Sequence, residues 1–474
     1  MKAFLKYLCL ASAALIAAAC GSSSDSGEPS VPLIIDKNSV EFEAAGGTVQ
    51  VRVDAASEPV VRRSDIWFSA ECEASGKSWT VQISATANTG AHGRTGKLSV
   101  LSGGESAEII VSQKGYAASD DRPIVGESAE EALKNIVIGY NIGNSLESTG
   151  GETAWGNPAI SQKFVDGIAA AGFNAVRIPC AWNQYVTEQK APYTISPEWM
   201  ARVKEVVDYA MAKDMYVILN CHWDGGWLEV HANERDMDAV AEKERCLWTQ
   251  IATAFADYGS KLIFAGNNEI RNKVGDNEKW SSPDAGERRA LSKYNQTFVD
   301  AVRSTGGGNA TRNLVVQPWC CNPWYALSDF DLPSDPSAGH LMVEVHYYEP
   351  MDFSHSADNV RKWGHRKGYT DVTACQEDYV DKLFGDIRTA FADKGIPVVL
   401  GEYGTVCHST TEADVMESEA YYLEYVTRAA RTNGFAPFCW DNGQPRVGMF
   451  GILDRTDGSV AVPHMLAGLM AGTE

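Results

Sequence analysis

Residues 129–474 predict an α/β fold, a (β/α)8 TIM barrel, preceded over residues 31–115 by a small all-β, immunoglobulin-like sandwich. Three observations carry this. Eight short apolar runs alternate with longer helical stretches across the larger segment, the pattern of a closed parallel sheet wrapped by helices. Polar and aromatic residues gather directly after those runs, where a parallel barrel presents its functional side chains. The smaller segment instead alternates apolar and polar residues in runs separated by glycine turns, as a sandwich does.

The chain opens with a targeting segment at 1–19: Lys2 and Lys6, then an apolar run from Leu8 to Ala19, short for a membrane span. It ends in small residues before Cys20, followed by a Gly/Ser-rich linker over 20–30. This resembles a bacterial lipoprotein signal with lipidation at Cys20. The resemblance implies a membrane anchor, and the acidic stretch Ser24 to Glu28 resembles the surface-export signals of such lipoproteins at the outer membrane. The net charge of −21 is spread along the chain with no basic stripe, which argues against a nucleic-acid partner. Of eleven cysteines, none has metal-ligand spacing; Cys180, Cys221 and Cys439 end apolar runs, as small buried thiols do, and an oxidising compartment would permit one or two disulfides.

In the sandwich segment six alternating runs fall at 33–42, 48–54, 67–73, 79–85, 96–101 and 107–113. Trp67, Ser69, Trp79, Asn88, Arg94 to Gly96 and the closing Val111 to Gly115 resemble the BACON domain. Trp67 and Trp79 are expected in its core, and the domain is expected to act as a spacer. A linker spans 116–128. Barrel strands are expected at 136–144, 175–180, 216–222, 262–269, 313–318, 341–348, 397–403 and 436–441. The intervening helices are expected at 158–171, 197–213, 242–259, 288–305, 375–394 and 414–433. No glycine-rich phosphate motif follows any strand.

Two strand ends carry a carboxylate. Pro397-Val-Val-Leu-Gly-Glu-Tyr-Gly404 runs into Glu402, and Leu262-Ile-Phe-Ala-Gly-Asn-Asn-Glu269 runs into Glu269. Two carboxyls at one barrel mouth are the minimal apparatus for glycoside hydrolysis. The other ends offer Asn144, Arg177, His222 with Trp223, Asn268, His346 with Tyr348, and Trp440.

Taken in order, Arg177-Ile-Pro, His222-Trp223, Asn268-Glu269, His346-Tyr-Tyr348, Gly401-Glu402-Tyr-Gly and Trp440 resemble glycoside hydrolase family 5. Gly143 to Glu147 and Glu152 to Pro158 look like its subfamily 4, which holds endoglucanases, xyloglucanases and mixed-linkage glucanases. The resemblance implies a retaining endo-β-1,4-glucanase with Glu402 as nucleophile and Glu269 as acid/base. It implies Arg177 beside Glu402 keeping that carboxylate ionised, Asn268 on the sugar 2-hydroxyl, Tyr348 donating to Glu402, and Trp440 under the −1 sugar. Asn144, His222, Trp223 and His346 would complete the substrate contacts. No metal and no cofactor are implied. Where the family usually reads Asn-Glu-Pro, this chain has Ile270. Trp155, Trp182, Trp223, Trp227, Trp319 and Trp324 are candidate sugar platforms, and the loop 350–373, with Trp363 and Tyr369, is the expected specificity element. Xyloglucan, mixed-linkage glucan and cellulose-like chains all stay open as substrates. Xylanase, mannanase and a non-catalytic surface glycan-binding lipoprotein are the alternatives.

Overall fold

The computed structural model describes residues 32–43, 46–64, 67–76, 78–85, 94–114, 126–358 and 360–474. The leader, Cys20, the 20–30 linker, Asn88 and most of the 116–128 linker lie outside them. Among the described residues of the N-terminal segment there are eight strands: β1 (Ile34–Ile35), β2 (Ser39–Phe42), β3 (Gly47–Asp54), β4 (Val60–Arg63), β5 (Phe68–Ser75), β6 (Ser78–Ala85), β7 (Arg94–Ser102) and β8 (Glu105–Gln113). They make two four-stranded sheets, ordered β1-β3-β6-β5 and β2-β8-β7-β4. Alternate residues such as Val51, Val53, Val81, Ile83, Leu98, Val100, Ile109 and Val111 close the core between them.

The single run expected at 33–42 is two strands on different sheets. Polar residues 36–38 divide it: Asp36 ties back to Arg52 through backbone and side chain, while Ile110 N donates to the Asn38 carbonyl on the other sheet. β4, Val-Val-Arg-Arg, is largely exposed and lacks the alternation that marked the other strands. Trp67 and Trp79 are not core residues. They are partly buried against the core's edge, and Trp67 carries the Arg94 guanidinium 4.7 Å above its ring.

The second segment is a closed parallel barrel. Its strands are β9 (Gly139–Ile142), β10 (Ala175–Ile178), β11 (Tyr216–Asn220) and β12 (Leu262–Ala265). After a small hairpin, β13 (Asn272–Val274) and β14 (Asn277–Lys279), follow β15 (Leu314–Val316), β16 (Leu341–Tyr347), β17 (Val398–Tyr403) and β18 (Ala436–Asp441). β18 pairs with β9 and closes the ring. Nearly every strand residue is buried on both faces, which is why these strands read as continuous apolar runs. Helices Gln162–Ala170, Pro197–Met211, Met237–Ala254, Ala285–Ser304, Glu377–Ala390 and Ala413–Thr432 surround them. Their starts are chemically marked: Ser161 and Ser196 cap two of them, with Pro197 in the first turn, and Asp284 with Glu287 forms a capping box.

A short helix, α1 (Ala129–Asn135), plugs the opposite end of the barrel. Ala129, Ala132 and Leu133 pack with Ala175, Tyr216, Val399, Ala436 and Phe438, residues from the beginnings of the strands. A Ser128–Glu131 capping box starts it. Just before it, Glu127 accepts a hydrogen bond from Tyr216 Oη at 2.7 Å, and its carbonyl accepts one from Asn313 Nδ2.

The nine described cysteines are all free, and seven of them are buried. In the loop after β16, Trp363 is fully buried. Its indole donates to the Cys375 carbonyl and its ring packs among Tyr421, Tyr422 and Tyr425, so it is core and not a substrate platform.

Candidate active site

At the C-terminal ends of the strands, Arg177 is the hub. It rises from β10 into the barrel interior, fully buried, and its fork reaches three strands. Nη1 donates to Glu402 Oε1 at 2.9 Å and to Asn141 Oδ1 at 3.0 Å, Nη2 donates to Asn268 Oδ1 at 2.7 Å, and Nε lies 2.9 Å from Glu344 Oε1. A planar guanidinium suits this branching; an ammonium could not span it.

Glu402 accepts from Arg177 on one oxygen and from Tyr348 Oη, at 3.0 Å, on the other. The strand register explains its placement. Val345 pairs with Leu400 but His346 pairs with Glu402, so Gly401 is an extra residue in β17. The resulting bulge turns Glu402 toward His346. A side chain at 401 would not fit, because a Cβ there would lie 1.8 Å from Glu344 Oε1.

His346 bridges the carboxylates. Nδ1 lies 2.8 Å from Glu269 Oε1 and 3.7 Å from Glu402 Oε2, and Nε2 lies 3.2 Å from Glu344 Oε1. One oxygen each of Glu269 and Glu402, with the imidazole between, lie within 4.8 Å of one another. Burial would pull the His346 imidazole down, but the Cys321 sulfur and the carboxylates of Glu402 and Glu269 lift it well above its ordinary value. Burial likewise works against Glu344, yet Arg177 and His346 outweigh it and hold that carboxyl at about 2. Glu402 goes the other way. Burial raises it above the usual carboxylate range, His346 and Arg177 pull it down, and Glu269 and Glu344 push it up. Arg177 lies beside Glu402 and pulls its carboxyl down, but burial outweighs that pull, and the cation is shared with Glu344.

Asn268 uses its oxygen on Arg177 and one N–H on Glu229 Oε1, at 3.0 Å, leaving the second N–H for a ligand. His222 receives a hydrogen bond from Asn220 Nδ2 on Nδ1, which leaves Nε2–H as a donor. Burial, followed by the charges of Arg177, His346 and Arg271, holds this imidazole well below its ordinary value, so it is neutral. Its ring lies nearly parallel to Trp440 at 5.9 Å. Trp440 rests on the backbone of Gly143, where a Cβ would fall 2.6 Å from the indole. Trp223 is half-buried with the Arg271 guanidinium 5.7 Å from its ring. Asn144 takes part through its backbone: its N–H donates to Glu147 and its carbonyl accepts from Asn157 at 2.9 Å.

Beside Glu269 and Glu402 opens a cavity of about 600 Å³, with Trp280, Trp324, Tyr348, Met351, Tyr379 and Trp440 among its walls. Trp280 is 50% and Trp324 43% exposed. Of the proposed platforms, Trp324 lines this cavity and Trp155 is exposed, whereas Trp182 and Trp319 are buried in the core with indole N–H groups bonded to backbone carbonyls.

Five features escaped sequence reasoning. Glu344 sits two residues before His346, an i,i+2 spacing that puts both on the same face of one strand. Asn141 sits on β9 in the same way. Arg271, two residues after Glu269, donates to Glu229 at 2.8 Å and to Glu278 at 2.6 Å, and stacks on Trp280 at 4.2 Å. Glu229 carries no local signal; burial, against the pull of Arg271, raises its carboxyl to about 7. Trp280 follows the hairpin that Arg271 anchors.

A family model for cellulases, glycosyl hydrolase family 5, matches residues 140–445, and the BACON model matches residues 23–114. The xyloglucan-specific endo-beta-1,4-glucanase BoGH5A of Bacteroides ovatus is 31% identical over 95% of this chain and 92% of its own length. A solved Bacteroides ovatus GH5 xyloglucanase, in complex with a XXXG heptasaccharide, superposes with a TM-score of 0.68 at 30% identity, covering 94% of this chain and all of that one. A family 5 xyloglucanase from Paenibacillus pabuli gives the same TM-score at 33% identity, over 72% of this chain and 99% of its own.

Proposed function

Because the chain belongs to glycosyl hydrolase family 5, we propose that it is a retaining endo-β-1,4-glucanase acting on a plant cell-wall β-glucan, with xyloglucan as the preferred polymer. One observation carries the chemistry: a Glu269 oxygen and a Glu402 oxygen lie within 4.8 Å of each other across the cavity mouth. Retaining enzymes hold their carboxyls about 5–5.5 Å apart, whereas inverting enzymes leave room for a water at roughly 6.5–9.5 Å.

In the first step a Glu402 oxygen attacks the anomeric carbon while Glu269 protonates the departing glycosidic oxygen. In the second, Glu269 takes a proton from water, which displaces Glu402 from the sugar. Both Glu402 oxygens already accept hydrogen bonds, from Arg177 and Tyr348, an arrangement suited to the ionised form. The free N–H of Asn268 is placed for the 2-hydroxyl, Nε2–H of His222 for a neighbouring hydroxyl, and Trp440 for the face of the −1 ring. The xyloglucan preference is supported by the likeness to BoGH5A, which spans both segments of this chain, and by the aromatic walls at Trp280 and Trp324, which offer broad stacking surfaces.

We further propose that the leader ends at a lipidated Cys20 and that the enzyme is held at the bacterial cell surface. The sequence from Leu8 to Cys20 supports this. Palmitate labelling of wild type and Cys20→Ala in a Gram-negative host tests it, with loss of label expected in the variant. The activity is tested on xyloglucan, mixed-linkage glucan, carboxymethylcellulose, xylan and glucomannan, beside Glu402→Ala. Release of oligosaccharides from xyloglucan, absent in the variant, is the expected result. Preferred cleavage of another glucan would displace the substrate, and binding without cleavage would displace the enzyme.

A further inference from the structure

Glu344 lies beneath the cleft, two residues before His346 on β16, with its side chain wholly buried. Gln317 Nε2 donates to Oε2 at 2.7 Å, while Oε1 faces His346 Nε2 at 3.2 Å and Arg177 Nε at 2.9 Å. The backbone is shaped to admit it, since the bulge residue opposite is Gly401, where any Cβ would overlap Glu344 Oε1. Through its other nitrogen, His346 reaches Glu269 Oε1 at 2.8 Å. Among the described residues the imidazole is also faced by Glu402 Oε2 at 3.7 Å and the Cys321 thiol, with Arg177 beyond Glu344 and the neutral His222 within electrostatic reach.

We propose that Glu344 is a positioning residue for the acid step. By facing Nε2 of His346 it keeps the imidazole protonated on both nitrogens, so that Nδ1–H donates to Glu269 Oε1 and the transferable proton of Glu269 stays on Oε2, toward the substrate. A neutral imidazole with its hydrogen on Nε2 would present a bare Nδ1 to Glu269 and draw the acid's proton inward. An imidazolium forbids that. The charges agree: Arg177 and His346 as cations balance Glu344 and Glu402 as anions, leaving the buried cluster neutral when Glu269 carries its proton. The downward shift of Glu344, to which His346 contributes after Arg177, has the same sense.

The inference rests on Glu269 being the acid/base. Glu344→Gln keeps the shape and removes the charge. It is compared with wild type on a soluble glucan and on dinitrophenyl β-cellobioside, whose leaving group departs without protonation. On the glucan, kcat/KM near neutral pH is expected to fall by about tenfold or more, with the alkaline limb displaced to lower pH. On the aryl glycoside, kcat/KM is expected to stay within about threefold of wild type. Equal losses on both substrates would place Glu344 with the nucleophile, through Arg177, and overturn the proposal; an unmoved alkaline limb would do the same. Should the variant not fold, imidazole nitrogen NMR of the wild type still decides. Both His346 nitrogens should read as N–H near neutral pH, and a bare Nδ1 refutes the idea. A wild type inert on every glucan would sink the assignment of Glu269 itself.

Discussion

Replacing Gly401 with alanine should unsettle the barrel far more than one methyl group ordinarily does. The new Cβ would lie 1.8 Å from Glu344 Oε1, 2.5 Å from its Cδ and 2.7 Å from its Cγ, so the carboxylate must move aside. It has little freedom to do so, since Gln317, His346 and Arg177 hold it at 2.7, 3.2 and 2.9 Å. Overpacking a core costs about 1–3 kcal/mol, and breaking a buried ion pair about 3–5 kcal/mol. The sum, roughly 4–8 kcal/mol, is a large share of the 5–15 kcal/mol by which domains are stable. Urea unfolding followed by tryptophan fluorescence measures it directly. The cycle with Glu344→Ala separates the clash from other effects: if the methyl group acts through Glu344, the double variant should lose about 1–3 kcal/mol less than the two single losses combined. A Gly401→Ala protein within about 1 kcal/mol of wild type would mean that the bulge yields, and the steric reasoning would fail.

Tyr348→Phe removes the 3.0 Å donor from Glu402. A hydrogen bond to a charged group is worth about 1.5–3 kcal/mol, so the Glu402 carboxyl, which burial already raises, should climb further and carry the acid limb of kcat/KM up by about one to two pH units. A limb that stays put would show that the hydroxyl does not stabilise the anion. Burial raises the carboxyls of Glu147 and Glu229 to about 7 and of Asp224 to about 6. The folded state thus holds these protons more tightly than the unfolded chain, and stability should fall as pH rises from the ordinary carboxylate range toward 7. Each glutamate contributes up to about 3 kcal/mol to that slope, and Glu147→Gln should flatten it in urea midpoints measured across the window. Trp363→Ala should cost about 3–5 kcal/mol of stability, whereas Trp324→Ala, at an exposed position, should leave Tm nearly unchanged and lower kcat/KM on polymer. A thermal shift for Trp324→Ala as large as that for Trp363→Ala would contradict the assignment of one to the cavity wall and the other to the core.

The barrel was legible because its strands are buried on both faces, so each appears as a short apolar run that stops where the polar mouth begins. Glu269 and Glu402 stood out at those stops, and Arg177, His346 and Tyr348 with them. Glu344 did not, since one charge inside an apolar run gives no sign of which partners meet it across the barrel. Those partners are Gln317 and Arg177, 27 and 167 positions away in the chain. Glu229 lies in a loop, and only the folded chain brings it to Asn268 and Arg271. Tryptophans misled for the same reason: Trp363, Trp182 and Trp319 lie in segments that look like loops, yet long-range packing buries them, while Trp280 reaches the cavity on a hairpin too short for its pattern to register. At 33–42, alternation identified strand residues but could not reveal the change of sheet at Asp36.

The helix that plugs the barrel floor also determines how the molecule bears a load. The chain enters through Glu127 and α1, at the end remote from Glu269 and Glu402. Tension on the segment before Gly126 therefore passes into the barrel at the strand beginnings, through Glu127 to Tyr216 and Asn313. The glutamates sit a full strand length from that point of traction. Were the chain held through Cys20 as proposed, a pull on it while it gripped a polymer would meet α1 before it met the catalytic glutamates.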